Sequence, residues 1–110
     1  MNNGYTPEAG DIIWLEFSPQ AGHEQAGHRP ALVLSPSIYN AKSGMMVCCP
    51  LTTKIKGYPF EVLCGENGAV LSDQVKSLDW RARNATKKGH ARPTVMAKVK
   101  ANIKALLALK

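Results

Sequence analysis

Five short runs of apolar or alternating residues arrive within the first 80 positions, most of them closed by proline or glycine. None of the segments between them has the length and 3.6-residue periodicity of a crossover helix. "GDIIWLEF" (10–17) puts Ile13, Leu15 and Phe17 on one side and Ile12, Trp14 and Glu16 on the other, as a strand does. Further strands are expected at about 30–34, at "MMVCCP" (45–50) and at "PFEVLC" (59–64). "AVLSDQVKSLDW" (69–80) fits one bent strand or two. Strands that follow one another this closely must pair antiparallel, in a sheet or small barrel.

The punctuation falls between these runs. Residues 1–9 form an irregular lead-in, and "SPQAGHEQAGH" (18–28) is a long loop broken by Pro19, Gly22 and Gly27. "SIYNAKSG" (37–44) is expected to connect, "LTTKIKGY" (51–58) to be a polar, basic loop, and "RARNATKKGH" (81–90) to be turn-like. From Pro93 onward Val95, Val99, Ile103, Leu106 and Leu107 recur at helical spacing, so an amphipathic helix is expected to lie on the sheet. Ala97, Ala101, Ala105 and Ala108 share its opposite face, either as good helix formers or as a close-packing surface for a partner.

A chain of 110 residues holds one domain with one core. At 45% apolar and 20% charged residues it is globular in composition. It has no apolar run near the ~20 residues that span a bilayer, and its N-terminus lacks the pattern of a signal peptide, so a cytoplasmic location is expected. Cys48 and Cys49 are strand neighbours on opposite faces, and no C-x-x-C spacing exists, so buried thiols rather than disulfides or zinc ligands are expected. The charge is uneven. Residues 1–55 carry a net −1 and residues 56–110 a net +7, which suits a polyanion or an acidic partner. A solubilising Lys-rich surface would give the same sum.

The candidate chemistry sits at strand ends. Arg29 stands where the long loop meets a strand, and its planar fork of donors suits a phosphate; an ion pair with Glu24 or Glu16 is the plainer role. Thr52 and Thr53 stand where the third strand gives way to a loop, and a hydroxyl there can donate to a phosphate oxygen. Glu24 can act as a general base or accept from a base edge. Three histidines without carboxylate or thiol partners at ligand spacing do not suggest a metal, and no cofactor motif is present.

"GDIIWLEFSP", "EQAGHRPALVLSP", "PLTT", "KGYPFEV", "LSDQVKSLDWRAR" and "ATKKG", in that order, closely resemble the MazF/PemK family of toxins, and the MazF branch within it. The resemblance implies a mainly β fold: a small SH3-like antiparallel barrel of the CcdB/PemK type with a C-terminal helix, filling residues 1–110. It implies a metal-independent endoribonuclease that cuts single-stranded RNA, mostly mRNA, by 2′-hydroxyl attack. It also implies a homodimer, a MazE-type antitoxin whose acidic tail competes with RNA, and operator DNA bound only by the toxin–antitoxin complex.

By the same resemblance Arg29 stabilises the phosphorane, Thr52 hydrogen-bonds the scissile phosphate, and Glu24, a modest base beside an arginine, faces the 2′-hydroxyl. RNA contacts are expected from Gln25, His28, Thr53, Lys54, Lys56, Asp73, Gln74, Lys76, Trp80 and Arg81, with an ACA-like site. Trp80 is equally a core residue by type. Asp73-Gln74 follows Leu71, where the PemK branch has an arginine, so Asp73 reads bases or is structural. A gyrase poison on the same barrel acts through a C-terminal aromatic, whereas this chain ends "LLALK". A non-catalytic nucleic-acid module would bind without producing new ends.

Overall fold

The computed structural model describes residues 4–17 and 27–110. Within them seven strands form one curled antiparallel sheet. The strands are β1 (Asp11–Phe17), β2 (Gly27–Val33), β3 (Met45–Thr52), β4 (Glu61–Leu63), β5 (Ala69–Leu71), β6 (Lys76–Asp79) and β7 (Thr86–His90). Their order is β4-β5-β3-β2-β1-β7, with β6 also paired to β3. Helix α1 (Ser37–Ser43) links β2 to β3, and α2 (Pro93–Leu106) closes the chain.

Strand alternation explains two apolar layers. Ile12, Leu32, Cys49, Leu51, Val62, Cys64, Val70 and Ala91 cluster on one side, where Val99 of α2 packs against them. Ile13, Leu15, Ala31, Val33, Met46 and Cys48 cluster on the other, with Trp80 and Ala85. Cys48 and Cys49 therefore lie in different layers, and all three cysteines are free and buried. Burial pushes the Cys48 thiol up to about 11 and that of Cys49 to about 12.

Strand β3 is the spine. It pairs with β2 on one edge and changes partner on the other, from β6 over Met45–Cys48 to β5 over Leu51–Thr52. The 69–80 run is accordingly two strands, separated by a turn that contains Asp73 and Gln74.

Three expectations are corrected. The 37–44 segment is a helix, not a plain connection. Its apolar Ile38 and Tyr39 are exposed and its polar Asn40 is buried, so hydrophobic periodicity has nothing to detect. Asn40 is satisfied by donating to the Pro7 and Ser35 carbonyls and by accepting from the Ser35 hydroxyl. The Glu8 carboxylate accepts from the Ser37 N–H and hydroxyl, capping α1 from a distant part of the chain. The 81–90 segment contains strand β7. "TKKGH" lacks apolar alternation because this edge strand is mostly exposed, and lysines are what an unpaired sheet edge tolerates. In α2, Val99 is buried and Val95, Met96 and Ile103 pack beside it, but Leu106 and Leu107 are exposed.

Candidate functional site

Arg29 lies opposite Leu15 in the β1–β2 ladder, and Ala31 lies opposite Pro50 in the β2–β3 ladder. Extending that second register by two residues sets Arg29 against Thr52. Both stand on the face of the sheet that carries Leu15, Ala31 and Cys48, at the end the apolar layer leaves open. Lys76 is paired with Cys48 and joins them from β6.

Together they enclose a cleft of about 360 Å³, floored by Leu15, Ala31, Cys48 and Pro50 and rimmed by Arg29, Thr52, Gln74 and Lys76. Two depressions adjoin it. One, of about 450 Å³, adds His28, Thr53 and Lys54 to Arg29 and Thr52. The other, of about 230 Å³, lies at Lys54, Lys56, Tyr58, Glu61, Asp73 and Gln74. Thr52 lines all three, so they form one groove around it.

The Thr52 hydroxyl accepts the Lys54 N–H at 3.0 Å, which orients it and leaves its O–H to donate. Behind Thr52 stands Gly68, with φ +87°; a Cβ on it would come within 2.2 Å of the Thr52 carbonyl oxygen. Only glycine allows that approach. Beyond Thr52 the Glu61 carboxylate gathers the loop that carries Lys56. Its Oε1 accepts from the N–H groups of Lys56, Gly57 and Tyr58 at 3.0, 2.7 and 3.2 Å. At the other end, His28 Nε2 is 3.6 Å from a Glu16 carboxylate oxygen, with its ring tilted against Trp14.

Of the residues singled out by sequence, the groove gathers Arg29, Thr52, His28, Thr53, Lys54, Lys56, Asp73, Gln74 and Lys76. Glu24 and Gln25 lie outside the described residues. Trp80 does not belong to the groove. It is 1% exposed in the core, its indole N–H donating to the Asn40 carbonyl at 2.9 Å. Arg81 stacks 4.8 Å from the Trp80 ring, donates to the Ala41 carbonyl and is absent from the lining of the groove. Tyr58, Glu61 and Gly68 are parts of this region that the sequence did not mark. The positive charge in "KIKGY" was the available signal for the first. The other two depend on pairing between strands. Among the described residues no group of three His, Cys, Asp or Glu stands close enough to share a cation.

The described residues thus form a curled antiparallel sheet with a C-terminal helix and a cationic groove at the end of its central strand. The chain belongs to the PemK-like, MazF-like toxins of type II toxin–antitoxin systems, whose family model matches residues 8–107. It is 56% identical to the endoribonuclease toxin MazF of Escherichia coli K12, over 97% of this chain and 99% of that protein. It is 36% identical to the endoribonuclease toxin ChpB of the same organism, over 91% of this chain and 93% of that one. A solved MazE–MazF structure from Deinococcus radiodurans superimposes with a TM-score of 0.91 at 50% identity, covering 96% of this chain and 99% of that one.

Proposed function

We infer that this chain is the endoribonuclease toxin of a type II toxin–antitoxin pair and that the groove around Thr52 is where RNA is cut. The supporting observation is the facing placement of Arg29 and Thr52 at the open end of β2 and β3, with a cationic rim on both sides. Relatives at 56% and 36% identity carry the name endoribonuclease.

The reaction is a transesterification. The 2′-hydroxyl oxygen bonds to the adjacent phosphorus, the P–O5′ bond breaks, and the products are a 2′,3′-cyclic phosphate and a 5′-hydroxyl. Arg29 faces the nonbridging oxygens and holds the charge that grows on them in the phosphorane, where a preorganised donor is worth most. Thr52 donates its O–H to the same phosphate, and Lys76 adds positive charge over the apolar floor. Glu24 takes the 2′-hydroxyl proton, and the leaving O5′ gains one from solvent while Arg29 stabilises the developing charge. With a guanidinium at the phosphate, no metal is required. The substrate is single-stranded RNA, since bases must unstack to enter a groove of this size, and the family resemblance favours mRNA and an ACA-like site. The active form is a cytoplasmic homodimer. A MazE-type antitoxin blocks it and, in complex, binds operator DNA; a solved MazE–MazF structure at 50% identity supports the antitoxin partner.

The test is cleavage of one long RNA by purified protein in EDTA, with the cut positions mapped by primer extension and the 3′ ends checked for cyclic phosphate. Arg29→Ala is expected to lose at least about 100-fold in cleavage rate, the scale for removing a transition-state donor. Full activity in that variant refutes the mechanism. Binding to RNA without new ends refutes catalysis.

A further inference from the structure

We propose that Tyr58 is a stacking platform for the nucleobase next to the scissile phosphate, and that Glu61 is the positioning residue that holds it there. The proposal rests on the RNA-cleaving role of the groove. Tyr58 is 59% exposed although it is a large aromatic, and it lines the depression that contains Thr52 but not Arg29. With a phosphate at Arg29 and Thr52, the adjoining depression walled by Tyr58 is open to the base of a neighbouring nucleotide.

The loop that presents the ring is built, not loose. A carboxylate within a groove for RNA would repel it, yet Glu61 spends its charge on the backbone N–H groups of Lys56, Gly57 and Tyr58. The Glu61 N–H in turn donates to the Tyr58 carbonyl at 3.0 Å. The segment is thus closed on one side chain at the start of β4, and Gly57 takes the left-handed turn (φ +81°) that lets successive N–H groups converge. The Lys56 ammonium stands over one face of the Tyr58 ring, 6.0 Å from its centroid, so a base stacked on the opposite face would have a cation across the ring for a neighbouring phosphate. An aromatic face flanked by a backbone-binding cation is how proteins hold single-stranded nucleic acid, and it needs no hydrogen-bond code.

The experiment uses a short RNA cut once, and copies with an abasic nucleotide at each position flanking the cut. At one of those positions, losing the base is expected to raise the wild-type KM by roughly 5- to 150-fold, the worth of one stacked base, with kcat little changed. Tyr58→Ala is expected to show the same rise on the intact RNA and no further rise on that abasic copy. Tyr58→Phe keeps the ring and should behave as wild type. Glu61→Ala should reproduce the KM defect, while Glu61→Gln, which retains an acceptor oxygen, should recover most of it. Melting temperatures report folding separately. Wild-type KM and flanking preference in Tyr58→Ala overturn the platform, as do Tyr58→Ala and abasic effects that multiply at every position. Glu61→Ala with wild-type KM overturns the positioning role. If the wild-type protein leaves the RNA intact, the cleavage role fails and the platform with it. If wild type cleaves and Tyr58→Ala matches it, the platform alone fails.

Discussion

Replacing Gly68 by alanine isolates the support behind Thr52. Two costs add. At φ +87° and ψ −127° an L-residue is strained by about 1–3 kcal/mol. The new Cβ would also sit 2.2 Å from the Thr52 carbonyl oxygen and 2.9 Å from its carbon, closer than the 3.0 Å below which real contacts essentially never fall. These are backbone atoms, so no side-chain rotation relieves the contact. A gap of nearly 1 Å must open between the β4–β5 turn and the end of β3, at an overpacking cost of about 1–3 kcal/mol. The total of roughly 2–6 kcal/mol is a large share of a small domain's ~5–15 kcal/mol. Shifting a substrate-contacting group by about 1 Å costs on the order of 100-fold in rate. The control is Gly65→Ala in the same turn. Gly65 also has positive φ (+59°) but no atom within 4 Å of its missing Cβ, so it bears only the dihedral cost of about 1–2 kcal/mol. Urea melts and single-turnover cleavage of one RNA by both variants decide the matter. Gly68→Ala is expected to be the less stable by at least about 1 kcal/mol and, among molecules still folded, the slower by at least about tenfold. Equal stability and equal rates would refute the link between this turn and Thr52.

Two further outcomes follow from buried groups away from the groove. Asp11 is buried, which alone would raise its pKa, but the Tyr5 hydroxyl, the His90 ring, the Glu8 N–H and the Lys87 ammonium together hold it below the ordinary carboxylate range. Its ionised form therefore stabilises the fold above the unfolded pKa near 4, and that contribution is lost as pH falls through the lower folded value. Tyr5→Phe should cost about 1 kcal/mol at pH 7, discounted for the partial exposure of the ring, with the difference from wild type shrinking in urea melts at pH 3. A pH-independent difference would sink this account. Cys48 and Cys49, both fully buried and shifted upward by burial, should stay unreactive to a thiol reagent at pH 8 in the native protein, and all three thiols should react on unfolding. Rapid native labelling would contradict the two-layer packing.

Sequence legibility tracks which faces are buried. Strands β1 and β3 alternate between two apolar layers, so both read clearly. Strand β7 has a solvent face and, among the described residues, pairs on one edge alone, and its lysines read as a turn. Helix α1 inverts the usual pattern because Asn40 is held by the lead-in segment and by β6–β7-side Trp80, contacts 33 and 40 positions apart. Trp80 and Arg81 look like nucleic-acid ligands in a basic string, but they stack on each other and bond to α1. Within the groove, Arg29 and Thr52 were visible because each stands where an apolar run meets a loop in the sequence, although β2 starts at Gly27 and takes Arg29 inside the ladder. Gly68 and Glu61 were not, because their significance lies in what β5 and the 56–58 loop are pressed against.

The charge asymmetry pointed to a polyanion, yet it does not build the groove. Of the groove's cations, Arg29 and Lys54 come from the half of the chain with net −1, and only Lys56 and Lys76 come from the half with net +7. Lys87, Lys88, Arg92 and the lysines of α2 line none of its three parts. At physiological salt, charges further apart than about 8 Å are largely screened from each other. These outer cations can therefore raise the encounter rate with a polyanion but cannot hold a particular phosphate. In the proposed mechanism, holding it falls to donors fixed by strand pairing: a guanidinium in β2 and a hydroxyl at the end of β3, over an apolar floor. Register, not net charge, makes the site.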